Sequence, residues 1–221
     1  MNSGSSLGFR QEREEMVRWQ IEQRGLHNTR LLAALRELPR HLFVQPGDES
    51  FAYYDEPLPI GYRQTISQPY ITALMTSLAE LEGEETVLEI GTGSGYQAAL
   101  LGMLAKDVIS IERIPELAER ARKKLADLDI TNVEVVVGDG TAGYSPGAPY
   151  QAILVTAAAP SVPSVLLEQL SESGRLIIPT GSRSVQQLQV WQRCGDHFDS
   201  EDILPVVFVP LLGEYGWKEN P

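Results

Sequence analysis

The chain is nearly devoid of cysteine and holds no long apolar run. Its single thiol, Cys194, cannot close an internal disulfide, which fits a reducing compartment, so cytoplasmic residence is expected. No apolar stretch reaches the ~18 residues that mark a membrane span. Residues Met1 to Arg10 are polar and lack the apolar centre of a secretory signal, so no leader is expected. Positive charge is also short: 18 Lys and Arg against 30 Asp and Glu leave a formal charge of −12. Such a field repels phosphate backbones and anionic lipid, and no basic cluster offsets it, so neither nucleic acid nor a membrane is expected as partner. His27, His41 and His197 are read as scattered, without a Cys or His neighbour at ligand spacing, and no metal is expected.

What is present reads as an ordinary globular chain, 43% hydrophobic and 22% charged over 221 residues, with no repeat or low-complexity block. A single domain and a monomer are expected. Within it we distinguish a flexible tail (1–8), a helical and loop subregion (9–68), a central core (69–181) and a C-terminal β region (182–221). Apolar positions Met16, Trp19 and Ile21 predict a first helix that stops near Gly25. Asn28 or Thr29 caps a second helix that Pro39 ends, and Pro69 opens a third. Between Phe43 and Gln68 the prolines and glycines predict irregular chain.

From Thr86 the pattern changes. Strand-like runs "TVLEI", "DVISIE", "VEVVVGD" and "QAILVTA" alternate with helical stretches beginning near Tyr96 and Pro115, which predicts a parallel sheet covered on both faces. A short helix "SVLLEQL" and a strand "GRLIIPT" follow. The stretches "QQLQVWQR" and "LPVVFVPL" are expected to finish the sheet with antiparallel strands. The fold class is therefore α/β, doubly wound and mostly parallel, with N-terminal helices and antiparallel C-terminal strands.

Gly91, Gly93 and Gly95 follow a strand and open a helix, at the sheet edge where doubly wound folds bind ligands. Their spacing is GxGxG. A dinucleotide fingerprint needs GxGxxG, and Tyr96 occupies its last slot. Glu89, just ahead of the turn, would repel a pyrophosphate but attract a cation. S-adenosyl-L-methionine carries both an ammonium and a sulfonium. Glu112, 17 residues after Gly95, can accept from both ribose hydroxyls, and Asp139 with Gly140 closes the third strand within reach of an adenine amino group. Each acid taken singly is equally well a solvated strand end. All at the ends of successive strands, they make a site.

The motifs "LEIGTGSG", "SIER" and "VGDG" resemble the cofactor motifs of class I S-adenosylmethionine-dependent methyltransferases. The stretches "LPRHLFV", "LPIGYRQTISQPYITALM", "APYQAILVTAAAP" and "GRLIIPTG" resemble the protein-L-isoaspartate O-methyltransferase family, and the likeness runs from about Met16 to Leu211. The resemblance implies a Rossmann-like methyltransferase sheet. It implies methyl transfer from S-adenosyl-L-methionine to the α-carboxylate of L-isoaspartyl residues, and also D-aspartyl residues as a candidate, in damaged proteins and peptides. S-adenosyl-L-homocysteine would be the by-product. It places cofactor contacts at Gln64, Thr65, Ile66, Ser67, Ser94, Glu112, Arg113, Asp139 and Gly140, beside the glycines and Glu89, and it makes Ser67 the active-site residue.

A carboxylate is already a nucleophile at neutral pH, so no general base is needed and Ser67 is expected to position rather than attack. The reacting charges cancel, so a dry, aligned site should supply most of the acceleration. "TISQPY" and "VTAAAP" suit such walls, although the alanines are equally compatible with tight packing at a strand end. An anionic substrate needs local donors against the −12 field, Arg63 or the backbone beside Ser67 being candidates. The chain departs from the family at Arg63, where glycine is expected, at Gln151, where aspartate is expected, and at Leu212, where some members place a cofactor-contacting threonine. Other readings are a methyltransferase acting on RNA or a small molecule, a nicotinamide-dependent oxidoreductase, which the spacing and Glu89 disfavour, and a noncatalytic binding protein.

Overall fold

A computed structural model describes residues 9–218. The expected tail, residues 1–8, lies outside the described residues. The first helical stretch begins as α1 (Arg10–Glu15), widens into a π turn over Met16–Ile21 and tightens to a 3₁₀ turn before Gly25, whose φ of 95° ends it. The apolar spacing explains the widening: Met16 and Ile21 are five apart, the period of an i→i+5 turn, and both are buried. Trp19, expected on that apolar face, is 52% exposed. In α2 (Thr29–Glu37) the Asn28 side chain accepts the Leu31 N–H at 3.0 Å and so caps the helix.

The stretch expected to be irregular contains a hairpin, β1 (Leu58–Gly61) and β2 (Gln64–Ile66), turned by Tyr62 and Arg63. The expectation failed because a two-residue hairpin turn is normally signalled by Asn-Gly or Gly, and neither turn residue is one. Then follow α3 (Pro69–Leu78), β3 (Thr86–Ile90), α4 (Tyr96–Gly102), β4 (Asp107–Glu112), α5 (Pro115–Asp127), β5 (Val133–Val137), β6 (Tyr150–Val155), α6 (Ser164–Glu168), β7 (Leu170–Gly181), β8 (Gln186–Cys194) and β9 (His197–Val206).

The sheet runs β5-β4-β3-β6-β7-β8-β9, with every pair parallel except β7–β8 and β8–β9. The order reverses between β3 and β6, and a crevice opens beyond their carboxyl ends. Alternation along these strands covers both faces. Val87, Ala152 and Leu154 pack with the N-terminal helices, while Leu88, Ile90, Ile153 and Val155 join the opposite core. The last strand differs from expectation. It begins earlier, in the polar stretch from His197, is paired to β8 through a tight turn at Gly195 (φ 63°), and takes in only the first three residues of the apolar "LPVVFVPL", Leu204 to Val206. As an edge strand β9 exposes charged residues, which masks its pattern. The apolar residues beyond Val206 instead fold back over the crevice.

Candidate active site

The turn after β3 is left-handed at each glycine: φ is 102° at Gly91, 54° at Gly93 and 87° at Gly95. Space is as restrictive as conformation. A Cβ on Gly91 would collide with Thr156 Oγ1, and one on Gly95 would press on Ala121 of α5 at 3.1 Å. The turn is held by β4. Ile111 O accepts from Gly91 N at 2.8 Å, and Glu112 accepts from Gly93 N (2.8 Å) and Ile114 N (2.9 Å). Ser94 Oγ accepts from Tyr96 N at 3.2 Å at the start of α4.

Glu89 lies beneath this turn, fully buried and outside the cavity wall. Ser110 donates a very short hydrogen bond to its Oε2, and Ser110 Oγ in turn meets Thr92 Oγ1 at 2.5 Å. Its Oε1 has no hydrogen-bond partner among the described residues. Burial pushes the carboxyl up to about 8; the Ser110 bond opposes this and the nearby Glu112 charge reinforces it. At neutral pH Glu89 is therefore held towards its protonated form, and a cation placed nearby would favour ionisation.

The crevice is divided in two. A small cavity of about 70 Å³ is walled by Gln64, Thr65, Gly91, Gly93, Glu112, Arg113 and Gly140, with Ile90, Ile111, Ile114 and Leu211 as its apolar sides. An open groove of about 610 Å³ lies next to it and contains Ser67, Gln68 and Tyr70. The two share Thr65, Thr156 and Val209. Thr156 Oγ1 donates towards Ile90 O (3.1 Å) and Gly91 O (2.7 Å), fixing this junction to the end of β3.

Of the expected cofactor residues, the structure brings together Gln64, Thr65, the first two turn glycines, Glu112, Arg113 and Gly140 around the cavity. Ser67 faces the groove instead. Ile66 is buried in the β1–β2 hairpin, and Ser94 lies behind the turn in a separate hollow lined also by Arg120 and Lys124. Asp139 sits at the rim, with its carboxylate in use: Oδ1 accepts from Thr141 N (2.9 Å) and Thr141 Oγ1 (2.7 Å), and Oδ2 from Glu214 N (2.7 Å). Burial raises its pKa, but these bonds outweigh it and hold the carboxyl below the ordinary range.

Several contributors were missed in the sequence. Arg40, completely buried, donates to Ser67 O and Ala52 O, both at 2.7 Å, and stacks 4.9 Å over the Tyr96 ring. Burial lowers its pKa to about 10, which still leaves it a cation. It joins the serine loop to the glycine turn, and "LPRHLFV" was the signal available for it. The stretch from Val209 to Leu212 closes the cavity, pinned by Ala158 N to Val209 O and Leu211 N to Ala158 O, each 2.8 Å. Ala157 lines the cavity, while Ala158 and Ala159 are buried in bridges to Pro210 and Thr180, so the alanine run serves both as wall and as packing.

The departures fall in different places. Arg63 is exposed, with φ 58° beside Tyr62 at 53°, a left-handed pair that accounts for glycine as the expected residue. It lines neither cavity nor groove. Gln151 accepts from Thr86 N at 2.8 Å at the sheet edge remote from the site. Leu212 puts an apolar side chain in the cavity wall. At that remote edge the β8–β9 turn gathers Cys194, His197 and Asp199, with ligand atoms within 4.8 Å of one another, although the sequence was read as placing no cysteine near a histidine.

A parallel sheet with its reversal beside a GxGxG turn, a carboxylate at the second strand end and a cavity lined by both define a class I methyltransferase fold. The comparisons narrow it. Residues 11–216 match the family described as protein-L-isoaspartate(D-aspartate) O-methyltransferase. The chain is 54% identical over 209 residues to the protein-L-isoaspartate O-methyltransferase of Methanoculleus marisnigri, covering 95% of each chain. Its identity to that of Syntrophobacter fumaroxidans is 50% over 212 residues, covering 96% of this chain and 99% of the relative. A solved protein-L-isoaspartate O-methyltransferase superposes with a TM-score of 0.82 at 29% identity, over 92% of this chain and 67% of that one. At 21% identity, the Plasmodium falciparum beta-aspartate methyltransferase in complex with S-adenosyl-L-homocysteine shares the fold, with a TM-score of 0.77 over 90% of this chain and 98% of that one. The chain belongs to the protein-L-isoaspartate (D-aspartate) O-methyltransferase family.

Proposed function

We propose that this chain transfers a methyl group from S-adenosyl-L-methionine to the α-carboxylate of L-isoaspartyl residues in damaged proteins and peptides, the first step of their repair. The observation that carries this reading is the junction: the cavity and the groove meet at Thr65, Thr156 and Val209.

The residues fit the cofactor. Left-handed glycines let a ligand approach the backbone, Glu112 has acceptor capacity beyond its two backbone bonds for ribose hydroxyls, and isoleucines flank a flat base. When bound there, the cofactor supplies an electrophilic methyl on a sulfonium. The residues of the chain do the rest. Ser67, its carbonyl anchored by Arg40, orients the substrate carboxylate in the groove. Thr65 and Thr156 line the point of transfer. The segment from Val209 to Leu212 excludes water, which would otherwise stabilise the separated charges more than the transition state. A new O–CH₃ bond replaces the S–CH₃ bond, leaving a methyl ester and S-adenosyl-L-homocysteine, and no proton need move.

On this reading the chain acts as a single catalytic domain and a monomer. The 9–68 subregion and the C-terminal region together line most of the groove, residues 69–181 most of the cavity and the stretch from Val209 to Leu212 the cavity's outer wall. Its partners are isoaspartyl proteins and peptides and not nucleic acid, and it works in the cytoplasm. No helix among the described residues is long and apolar enough to cross a membrane. The test is methylation with radiolabelled cofactor of paired peptides differing only in an Asp or isoAsp linkage. Base-labile label confined to the isoAsp peptide is expected; label in RNA, or equal label in both peptides, contradicts the reading.

A further inference from the structure

The groove beside Ser67 has a polarity that the net charge of −12 does not suggest. Arg24 is the only Lys or Arg among its described lining residues, and Asp55 the only acid. They pair at 2.7 Å between Nη1 and Oδ2, with side chains 45% and 29% exposed. The pair is unevenly satisfied. Asp55 has both oxygens engaged, since Oδ1 also accepts from Tyr70 N at 3.1 Å, and Gln68 Nε2 fixes its carbonyl at 2.8 Å. Arg24 spends one N–H on Asp55, and its other guanidinium nitrogens make no hydrogen bond to a described residue. The guanidinium lies 3.3 Å from the Tyr70 ring centroid, so the fork is held flat before any ligand arrives. What the groove offers at this point is a set of surplus, preorganised donors, and what such donors take is a carboxylate.

We propose that Arg24 is a specificity-determining residue that favours substrates carrying Asp or Glu close to the isoaspartyl residue. The inference rests on the proposed function and extends it from the damaged residue to its neighbours. A basic neighbour gains less here, because the only acid among the described lining residues is already paired with Arg24. The exposed side chains of Val207 (79%) and Val185 (70%) along the same groove give the intervening peptide an apolar surface to lie on.

The test uses the full chain and one neutral isoAsp peptide, varied to Gln, Glu or Lys at each neighbouring position in turn. With the unaltered enzyme, Glu at one position should lower KM about twofold to fivefold relative to Gln, the range of a half-exposed ion pair, with kcat unchanged. Added salt should shrink that ratio. In Arg24→Gln the Glu-to-Gln ratio, read within that variant whatever its KM for the neutral peptide, should fall to one, and Arg24→Lys, which retains charge without the fork, should keep part of it. A Glu preference that survives in Arg24→Gln, or none at any position in the unaltered enzyme, overturns the inference while leaving the proposed function standing. Failure to methylate even the neutral isoAsp peptide overturns both.

Discussion

The two left-handed turns at the site make the same demand on the backbone and answer it with opposite residues. Between β3 and α4, φ values of 102°, 54° and 87° fall on glycines; between β1 and β2, values of 53° and 58° fall on Tyr62 and Arg63. The difference is what surrounds them. A Cβ in the first turn meets Thr156, Ile60 or Ala121, whereas Tyr62 and Arg63 project into solvent. Conformational strain by itself is a cost of about 1–2 kcal/mol that a fold can carry; strain combined with collision is not. The glycines are fixed by packing against the site, while the hairpin turn is free to differ from the family.

The largest break in that comparison should come from Gly91→Ala. Strain and collision with Thr156 together should cost about 3 kcal/mol or more and abolish cofactor binding, measurable by thermal unfolding and calorimetry. Glu112→Ala and Ser67→Ala should then separate cavity from groove. Loss of a charged hydrogen-bond acceptor in the cavity should weaken cofactor affinity by about 1.5–3 kcal/mol. Loss of the Ser67 hydroxyl should slow turnover roughly tenfold, about 1.4 kcal/mol, with cofactor affinity unchanged. Calorimetry showing lost cofactor affinity in Ser67→Ala would place that serine in the cavity.

A subtler effect concerns the acid beneath the glycine turn. The folded carboxyl of Glu89 is pushed up to about 8, far above its unfolded value. Its protonated form therefore stabilises the fold fully below the unfolded pKa, near 4.5, and that contribution is lost as pH rises towards 8. Glu89→Gln, which stays neutral, should gain in Tm relative to the parent as pH is raised across this window. A Tm difference independent of pH would mean that Glu89 is ionised in the fold. The smallest effect is expected from Arg63→Gly. Relief of about 1 kcal/mol of strain is offset by a floppier unfolded chain, leaving stability within about 0.5 kcal/mol of the parent. A change there as large as that at Gly91 would erase the distinction between the turns.

Much of this was legible in the sequence, because strand-to-glycine-to-helix punctuation and acids at strand ends are local patterns. The GxGxG turn, Glu112 and the succession of strands β3, β4, β5 and β6 along the chain follow from them. The hairpin at Tyr62 and Arg63 was not legible, since its turn lacks the residues that normally announce one. Of β9 only the end, Leu204 to Val206, falls in the stretch expected to be strand, because its charged first part carries no apolar alternation. The role of Arg40 depends on a contact 27 residues away, to Ser67 O, and the engagement of Asp55 on Arg24, 31 residues away, and on Tyr70 N, neither of which has a periodic trace. Glu89 was legible as an acid at the right place, but its burial and altered protonation arise only when β3 and β4 are paired.

The central claim is that donor and acceptor occupy separate compartments that touch at a single junction. A crystal grown with S-adenosyl-L-homocysteine and an isoaspartyl peptide tests it directly. The account predicts the nucleoside in the cavity against Glu112, the sulfur at Thr65 and Thr156, and the peptide carboxylate beside Ser67 in the groove. S-adenosyl-L-homocysteine lying in the groove, or a peptide carboxylate bound away from the Thr65–Thr156 junction, would contradict it.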